Sequence, residues 1–334
     1  MNRSNCRKIE APRTATFGAA TLGVALVLGA LTGAARAGGP LPYDGPTPPP
    51  NVSTVQLYNI FSSASSFYTS NGVELNHTHI QTDVPVLRLT HTFSPVDGMI
   101  WGIQAIEPDV AFLGGQEVGG ASLSHNSGFA EPQLSAFIYP YNNPTQDGSL
   151  VLAYFLSPPT GAFNQTATLN ASTNNWVNNF EVGFTHKLFG TAKSKRLDIE
   201  VWWDSYFYST NSNALYGAAQ GAPASVAPFP TTIHTEPAGQ LIVYLPYYFH
   251  PQTDAYVGLS FEQTFGGKQY LTTPVLGAST TDTGNRNNFT QIGAIAGSFL
   301  SPTVFAEAEL STDVRSRGGA KNDVVFLVQI GKVF

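Results

Sequence analysis

The sequence predicts an all-β transmembrane protein, an antiparallel up-and-down β-barrel of about twelve strands. Three observations indicate this fold class. The chain begins with the pattern of an export signal, ends in an apolar strand that runs to its last residue, and alternates apolar and polar residues over many short stretches in between. Only 11% of its 334 residues are charged, whereas a soluble globular domain averages about 25%. So little charge cannot cover an ordinary aqueous surface.

The first 37 residues have the three parts of a secretory signal peptide. Residues 17–34 are apolar and small, and Ala35-Arg36-Ala37 forms an A-x-A cleavage site. A membrane anchor is the alternative interpretation, but the small-residue site favours cleavage near Ala37. We therefore expect export and residence in the outer membrane of a Gram-negative bacterium. The basic residues of the start are Arg3, Arg7, Lys8 and Arg13.

Removal of the signal changes the charge and the cysteine content of the chain. Five basic residues and one acid leave with it, so that 11 Lys+Arg face 21 Asp+Glu, a net charge of −10. A nucleic-acid partner is therefore not expected. The single cysteine, Cys6, also leaves, which excludes a disulfide framework, a thiol nucleophile and a cysteine-based metal site.

The rest of the chain divides into a proline-rich lead over residues 38–52 and a barrel over residues 53–334. The lead cannot supply the donors of a β-ladder, and we expect it on the periplasmic side, where it enters or covers the mouth of the barrel. In the barrel, stretches of period 2 predict twelve strands. Their ranges are 54–68, 83–94, 99–112, 127–140, 149–157, 176–189, 196–209, 234–249, 254–266, 289–300, 302–312 and 323–334.

The connections between these strands alternate in length, as they do in outer-membrane barrels. Short turns are predicted at 95–98, 141–148, 190–195, 250–253 and 301, and long loops at 113–126, 158–175, 210–233, 267–288 and 313–322. An even strand number places both chain ends on the periplasmic side. The terminal Phe334 then serves as the assembly signal, and the expected partners are the barrel-assembly machinery and outer-membrane lipids. Lys332 departs from the apolar residue that such a signal prefers.

Charged residues fall on the face of each strand that opposes the apolar stripe, which favours a polar lumen inside a lipid-facing wall. Strand 196–209 has the clearest pattern. Each inward charge is a candidate pathway group, and each is also a candidate for an ion-pair lattice that stiffens the wall, which is the favoured interpretation. The lumen-facing candidates are Arg88, Glu131, Glu181, Lys187, Arg196, Asp198, Glu200, Asp204, Glu262, Glu307 and Glu309.

A soluble β-sandwich or lipocalin-type barrel also alternates apolar and polar residues. Its polar faces would be rich in lysine, however, whereas the polar faces here are rich in carboxylates. The chain is also too long for one sandwich of seven to nine strands. The membrane barrel is the better interpretation.

Two motifs could carry chemistry, and in each the simpler interpretation is favoured. His77-Thr78-His79 places two imidazoles on one strand face, but two exposed loop histidines are more probable than a metal site. His125-Asn126-Ser127-Gly128 invites comparison with outer-membrane phospholipases, yet it lacks the following arginine and falls in a loop. We expect no enzyme activity, no catalytic residue, no metal and no cofactor.

The middle of the chain contains several short motifs in a characteristic order and spacing. They are Gly128-Phe129-Ala130-Glu131-Pro132, Leu156-Ser157-Pro158-Pro159-Thr160-Gly161-Ala162-Phe163, Asn174-Asn175-Trp176 and Phe180-Glu181-Val182-Gly183-Phe184-Thr185. Through them the chain, over roughly residues 52–334, resembles the family named for the meta-cleavage pathway of phenol degradation, with Pro-Pro-Thr-Gly as a variant of the family's P-T-G. The resemblance implies an outer-membrane barrel thought to pass aromatic or other hydrophobic compounds.

The function expected from the sequence is a passive channel for a small, hydrophobic or aromatic solute. Twelve strands predict a narrow lumen, between filled eight-stranded barrels and open sixteen-stranded porins. Two other classes remain open, a structural or adhesive barrel that acts through its long loops and a phospholipase-like hydrolase that uses Ser127.

Overall fold

The computed structural model describes residues 39–143, 148–191, 194–216, 227–273 and 279–334. The expected signal peptide over residues 1–37 and its cleavage site at Ala37 lie outside this part of the chain. The described residues are all-β, with no helix among them. A bilayer-spanning helix, long and apolar, is therefore not found in the described ranges.

Twelve long strands form one closed antiparallel barrel, as predicted. Each strand pairs with the next along the chain, and β1 pairs with β12 to close the wall, from Thr54↔Val333 to Tyr68↔Gly319. The strands are β1 (Ser53–Tyr68), β2 (Ile80–Thr92), β3 (Ile100–Phe112), β4 (Gln133–Asn143), β5 (Gly148–Ser157), β6 (Val177–Phe189), β7 (Arg196–Tyr208), β8 (Ala238–His250), β9 (Ala255–Phe265), β10 (Asn288–Ser301), β11 (Val304–Arg317) and β12 (Gly319–Val333).

Two predicted boundaries are wrong. Strand β4 begins at Gln133 rather than at 127, because Gly128–Phe129 pairs separately with β3 and Pro132 has no N–H to continue a ladder. The predicted long loop 313–322 is a tight hairpin, in which β11 and β12 continue until they meet at Gly318. Gly318 has a φ of +67°, a conformation that a glycine adopts without strain.

The barrel has a short-turn end and a long-loop end. Both Ser53 and Phe334 lie at the short-turn end, where their main chains exchange hydrogen bonds of 3.3 and 2.8 Å. Apart from the Gly318 hairpin, the connections at the other end are long and form further small sheets. One of these has four strands, Asn211–Tyr216, Phe229–Thr235, Gln269–Thr273 and Ser279–Asp282.

The outer face of the wall is apolar. Large hydrophobic side chains on every part of the barrel point outward, and Leu57, Phe180, Leu259 and Leu310 each have more than half of their surface exposed. A closed barrel with such a belt satisfies its backbone hydrogen bonds within the wall and presents hydrocarbon to lipid.

The interior differs from the expected polar lumen, because clusters of apolar side chains lie on its inner face. Ile60, Val84 and Phe155 belong to one buried cluster, and Trp202 and Ile242 to a second. These inward apolar side chains had no sequence signal that separated them from outward ones, since their strands carry apolar residues on both faces.

Candidate functional site

The N-terminal lead lies inside the barrel at its short-turn end. Its main chain is held by the inner wall: Tyr244 donates its hydroxyl hydrogen to the Pro40 carbonyl at 3.0 Å, and Ser149 donates to the Gly45 carbonyl at 2.6 Å. The Gly45 N–H donates to Glu200 Oε2 at 3.2 Å. Residues 39–45 therefore occupy the lumen between β5, β7 and β8.

One ion pair fixes the lead to the opposite side of the wall. Arg88 of β2 donates to Asp44 at 2.7 Å, and it also donates through Nε to Gln104 at 2.8 Å. Asp44 accepts the Leu41 N–H at 2.8 Å as well. Only 12% and 17% of the two charged side chains are exposed, so this pair is much less screened by salt than a surface pair. The candidate Arg88 thus holds the lead.

A second cluster secures the lead at the level of the short turns. Tyr43 donates to Asp254 at 3.2 Å, and Arg196 donates to Asp254 and to Asp198, both at 3.0 Å. The Arg196 guanidinium lies 3.6 Å from the centre of the Tyr248 ring. Burial and the adjacent Asp254 raise the pKa of the Tyr43 hydroxyl well above its ordinary value, so it remains a hydrogen-bond donor at neutral pH.

The other candidate acids are buried on the inner face of the wall. Four of them accept hydrogen bonds from neutral side chains of other strands: Asn179 donates to Asp204 at 2.6 Å, Gln240 to Glu262 at 2.6 Å, and Tyr256 to Glu307 at 3.0 Å. Glu309 accepts from Ser260 at 2.7 Å. The wall therefore has a carboxylate-rich side within a hydrogen-bonded network. Its buried acids are Glu181, Asp198, Glu200, Asp204, Glu262, Glu307 and Glu309.

Two candidates occupy positions of another kind. Lys187 lies near the short-turn end of β6, directly across from Asp198. Glu131 was predicted to face the lumen from a wall strand, but it lies in the connection before β4. One of its oxygens accepts hydrogen bonds from Ser172 Oγ at 2.6 Å, the Thr173 N–H at 2.7 Å, Thr173 Oγ1 at 3.0 Å and the Asn174 N–H at 2.8 Å. It therefore anchors a loop that folds into the barrel.

Above the acids, towards the long-loop end, lies a cavity of about 230 Å³. Its wall combines aromatic rings with carboxamides, a composition suited to ligands that are apolar over most of their surface and polar at one point. The aromatic lining residues are Phe155, Phe163, Tyr206, Tyr208 and Phe289, and the amides include Asn170, Asn175, Asn179, Gln240 and Gln269.

In the two motifs weighed for chemistry, the structure gives the contacts of the candidate side chains. Ser127 Oγ accepts the Phe112 N–H at 3.1 Å, and His125 packs its ring against Phe112 rather than bonding to Ser127. His77 and His79 are exposed, and no group of three metal-ligating side chains occurs among the described residues.

Sequence reasoning missed Asp44, Asn179 and Tyr206. The acid at position 44 interrupts a proline-rich stretch, which was a signal that the lead needs a cationic partner. The alternation along β6 already indicated that Asn179 points inward. Its contact with Asp204, however, depends on the pairing of β6 with β7.

Comparison with known proteins adds to this geometry. A model of the family described as MetA-pathway of phenol degradation matches residues 64–327. An outer membrane channel from Pseudomonas putida F1 is similar in structure, with a TM-score of 0.72 at 18% identity over 89% of this chain and 100% of that one. No curated protein sequence matches the chain.

More distant barrels also match. The transport unit of the autotransporter AIDA-I from Escherichia coli gives a TM-score of 0.45 at 8% identity, over 90% of this chain and 95% of that one. A deletion mutant of the TodX monoaromatic hydrocarbon channel gives 0.41 at 10% identity, over 86% of this chain and 90% of that one.

Proposed function

Since the chain belongs to the MetA-pathway of phenol degradation family, we propose that it is a passive outer-membrane channel for small hydrophobic or aromatic compounds. The observation that carries this proposal is the cavity inside the barrel, whose lining is aromatic and amide-rich. An open pore for hydrophilic solutes would instead be lined by charged and hydrated groups along its length.

The apolar side chains of the inner wall support the same class of solute. Inward side chains such as Ile60, Val84 and Phe155 continue the apolar surface within the barrel. A hydrophobic molecule that enters at the long-loop end would exchange water for these contacts, at about 25 cal/mol for each Å² of apolar surface buried. The lead closes the other end, so release towards the periplasm requires it to move or to leave a narrow path beside it.

The location and partners belong to the same proposal. Cleavage near Ala37 would release the mature chain in the periplasm, where Phe334 at the end of β12 would be offered to the barrel-assembly machinery. The apolar belt would then face outer-membrane lipids. Lys332 is compatible with this role because its ammonium lies 4.8 Å from the centre of the Phe334 ring, where the aromatic face is favourable for a cation.

Uptake by intact cells tests the proposal. A porin-deficient Gram-negative host that produces the chain should take up radiolabelled p-cresol several-fold faster than the host alone, while uptake of a sugar of similar size stays unchanged. Asn179→Trp, which fills the cavity, should abolish the gain, whereas Asn178→Trp on the outer face of the same strand should retain it. Equal uptake with and without the protein would refute the channel.

The four-stranded sheet at the long-loop end favours a second candidate, a barrel that binds surfaces or ligands through its loops. Asn179→Trp separates the two functions, because it fills the cavity and leaves this sheet in place. A channel would lose uptake of p-cresol, whereas an adhesive barrel would retain binding to its target surface.

A further inference from the structure

We propose that Arg315, Arg317 and Lys321 form a basic patch on the outer surface of the barrel that binds the phosphate groups of the glycolipid in the outer leaflet. The proposal goes beyond the channel function, because it concerns the lipid around the protein and not the solute. It rests on the expected orientation of the barrel, in which the long-loop end faces out of the cell.

Basic residues are concentrated on one hairpin of the wall. Without the expected signal peptide the chain has 11 Lys+Arg against 21 Asp+Glu, so a local surplus of cations is unusual in this protein. Three of the eleven lie within seven positions, on either side of the turn at Gly318 between β11 and β12. Arg315 and Lys321 are each three residues from this glycine, on adjacent strands. The hairpin therefore brings them together.

The three side chains point away from the lumen. Ser316, between the two arginines, is buried and pairs with a residue of β10 that lines the cavity. Since side chains alternate along a strand, Arg315 and Arg317 face outward, and both are exposed. Ala320, next to Lys321, is buried as well, so the lysine has the same outward direction.

The basic patch begins where the apolar belt ends. Val314 is 50% exposed and is the last exposed apolar residue of β11 before the arginines. Arg317 lies three residues further, about 8 Å higher at about 3.4 Å per residue on a strand tilted by about 40°. The headgroup layer on each side of the hydrocarbon core is about 5–8 Å thick. The guanidinium groups are therefore at the level of lipid headgroups.

Other strands end differently on their outward side. At the long-loop end of β6, β7 and β9 the exposed residues include Phe180, Phe207 and Phe265, and aromatic rings are typical of the membrane interface. β11 and β12 have 14 and 15 residues, against 13 for β6 and for β7. The hairpin thus continues the wall further and meets the headgroup layer with cations, where these other strands offer aromatic rings.

The three cations are free to meet a ligand. None of them forms an ion pair with an acid in the described part of the chain. Arg317 lies against the turn after β1, where a Cβ added to Gly72 would be 3.8 Å from its Nε. Arginine binds phosphate through a planar fork of donors, and lysine adds a compact positive charge. Such clusters recognise phosphorylated lipid headgroups.

Two acids limit the basic patch on the side of β1. Glu74 accepts a hydrogen bond from Ser66 Oγ at 2.7 Å, and Ser66 is paired with Lys321. Asp323 Oδ2 accepts the Ser65 N–H at 2.8 Å. Both acids are exposed, so they lower the positive potential near the lysine and leave the two arginines as the main contacts of a phosphate.

Binding of lipid A to the detergent-solubilised full-length mature protein tests the site. Lipid A carries two phosphates on a glucosamine disaccharide, and the same lipid with both phosphates removed is the reference probe. Native mass spectrometry measures the fraction of protein that carries each lipid. The wild type should bind lipid A about tenfold more tightly than the reference.

Two double variants locate the contact. Arg315→Gln combined with Arg317→Gln should reduce the preference for lipid A below about threefold. Lys195→Gln combined with Lys268→Gln removes the same charge outside the basic patch, from one exposed and one half-buried position. This control should keep the tenfold preference.

A gain of affinity guards against loss through misfolding. Glu74→Gln combined with Asp323→Asn keeps the acceptor oxygens but removes two negative charges beside the basic patch, so lipid A should bind several-fold more tightly. Added NaCl should weaken the binding of lipid A more than that of the reference. Heat-modifiable migration on gels verifies that each variant forms a barrel.

Three results would overturn the site: equal binding of the two lipids by the wild type, an undiminished preference in the arginine variant, or the same loss in the lysine variant. Displacement of lipid A by excess inorganic phosphate at constant ionic strength would also overturn it, since the site would then serve the free anion.

Failure of the channel is a separate outcome. If the lipid preference is found while cells take up no p-cresol, the lipid site stands and transport falls. If uptake is normal but the wild type binds both lipids equally, transport stands and the lipid site falls.

Discussion

Glu131 holds a loop in the barrel with a single carboxylate oxygen. This oxygen accepts four hydrogen bonds, which come from Ser172, Thr173 and Asn174. Just before them in the chain, Leu169 and Ala171 are fully buried against the inner wall. One acid therefore satisfies the backbone of a segment that has entered the barrel, where unpaired N–H groups would be costly.

Replacement of Glu131 by alanine should loosen this loop while the barrel persists. Loss of a charged acceptor that serves several donors should lower the local free energy of opening by about 2–3 kcal/mol. Hydrogen exchange of the Leu169 and Ala171 amides would measure the change. Glu74→Ala is the control, since Glu74 is exposed and accepts from Ser66 outside the cavity. Unchanged protection in Glu131→Ala would show that the loop is held by its apolar contacts alone.

The N-terminal lead is an element without regular secondary structure, and its composition explains how it can lie in the lumen. Six of the eleven residues from 40 to 50 are proline, and proline brings no N–H that would need a partner. The donors that the segment does have are used within it or on the wall, as for Leu41, Asp44 and Gly45. The lead thus fills space with few polar groups left to satisfy.

Deletion of residues 41–50 should increase single-channel conductance several-fold in planar bilayers, because the segment occupies the cross-section of the lumen. Arg88→Met should give a smaller and more variable increase, since it leaves Asp44 buried without its cation at a cost of about 3–5 kcal/mol. Pro50→Ala, at an exposed position, should behave as the wild type. A deletion variant with wild-type conductance would exclude the lead as the obstruction.

Sequence periodicity predicted the twelve strands because a wall strand faces lipid with every second residue, and this constraint is local. Periodicity gave the wrong strand boundaries at β4 and at the hairpin of β11 and β12, because single residues such as Pro132 and Gly318 determine where these strands begin or end. The sequence predicted that the lead enters or covers the mouth of the barrel, but the individual contacts of the lead could not be predicted, because it has no period and its partners are distant in sequence. Tyr43 and Asp254, for example, are separated by 211 positions.

The candidate site was predicted in part for the same reason. The alternation of apolar and polar residues along a strand predicts which side chains point into the barrel. The acids of β7, Asp198, Glu200 and Asp204, could therefore be assigned to the inner face together. The partners of Glu200 and Asp204 could not be predicted, because Gly45 lies in the lead and Asn179 on another strand, and these contacts form only when the barrel closes. The apolar side chains of the interior also gave no signal, since alternation disappears where both faces of a strand are apolar.

At the scale of the whole molecule, the interior holds more acidic than basic side chains. Seven of the candidate acids are buried on the inner wall, and the inward cations Arg88 and Arg196 are already bonded to Asp44, Asp198 and Asp254. When the lumen is open to water, a low-dielectric wall focuses the field of the ionised carboxylates into it. The lead hides this potential from permeating ions in the intact protein.

An enlarged pore should therefore prefer cations. In the variant that lacks residues 41–50, the reversal potential across a KCl gradient should indicate a preference for K⁺ over Cl⁻ of about tenfold. The preference should decline as KCl rises from about 0.1 M to about 1 M, since the Debye length falls from about 10 Å to about 3 Å. Glu200→Gln and Glu307→Gln in the same background should each reduce it, whereas Glu74→Gln outside the lumen should not. Preference for Cl⁻ in the deletion variant would mean that the wall acids are neutralised, and the argument from their number would be wrong.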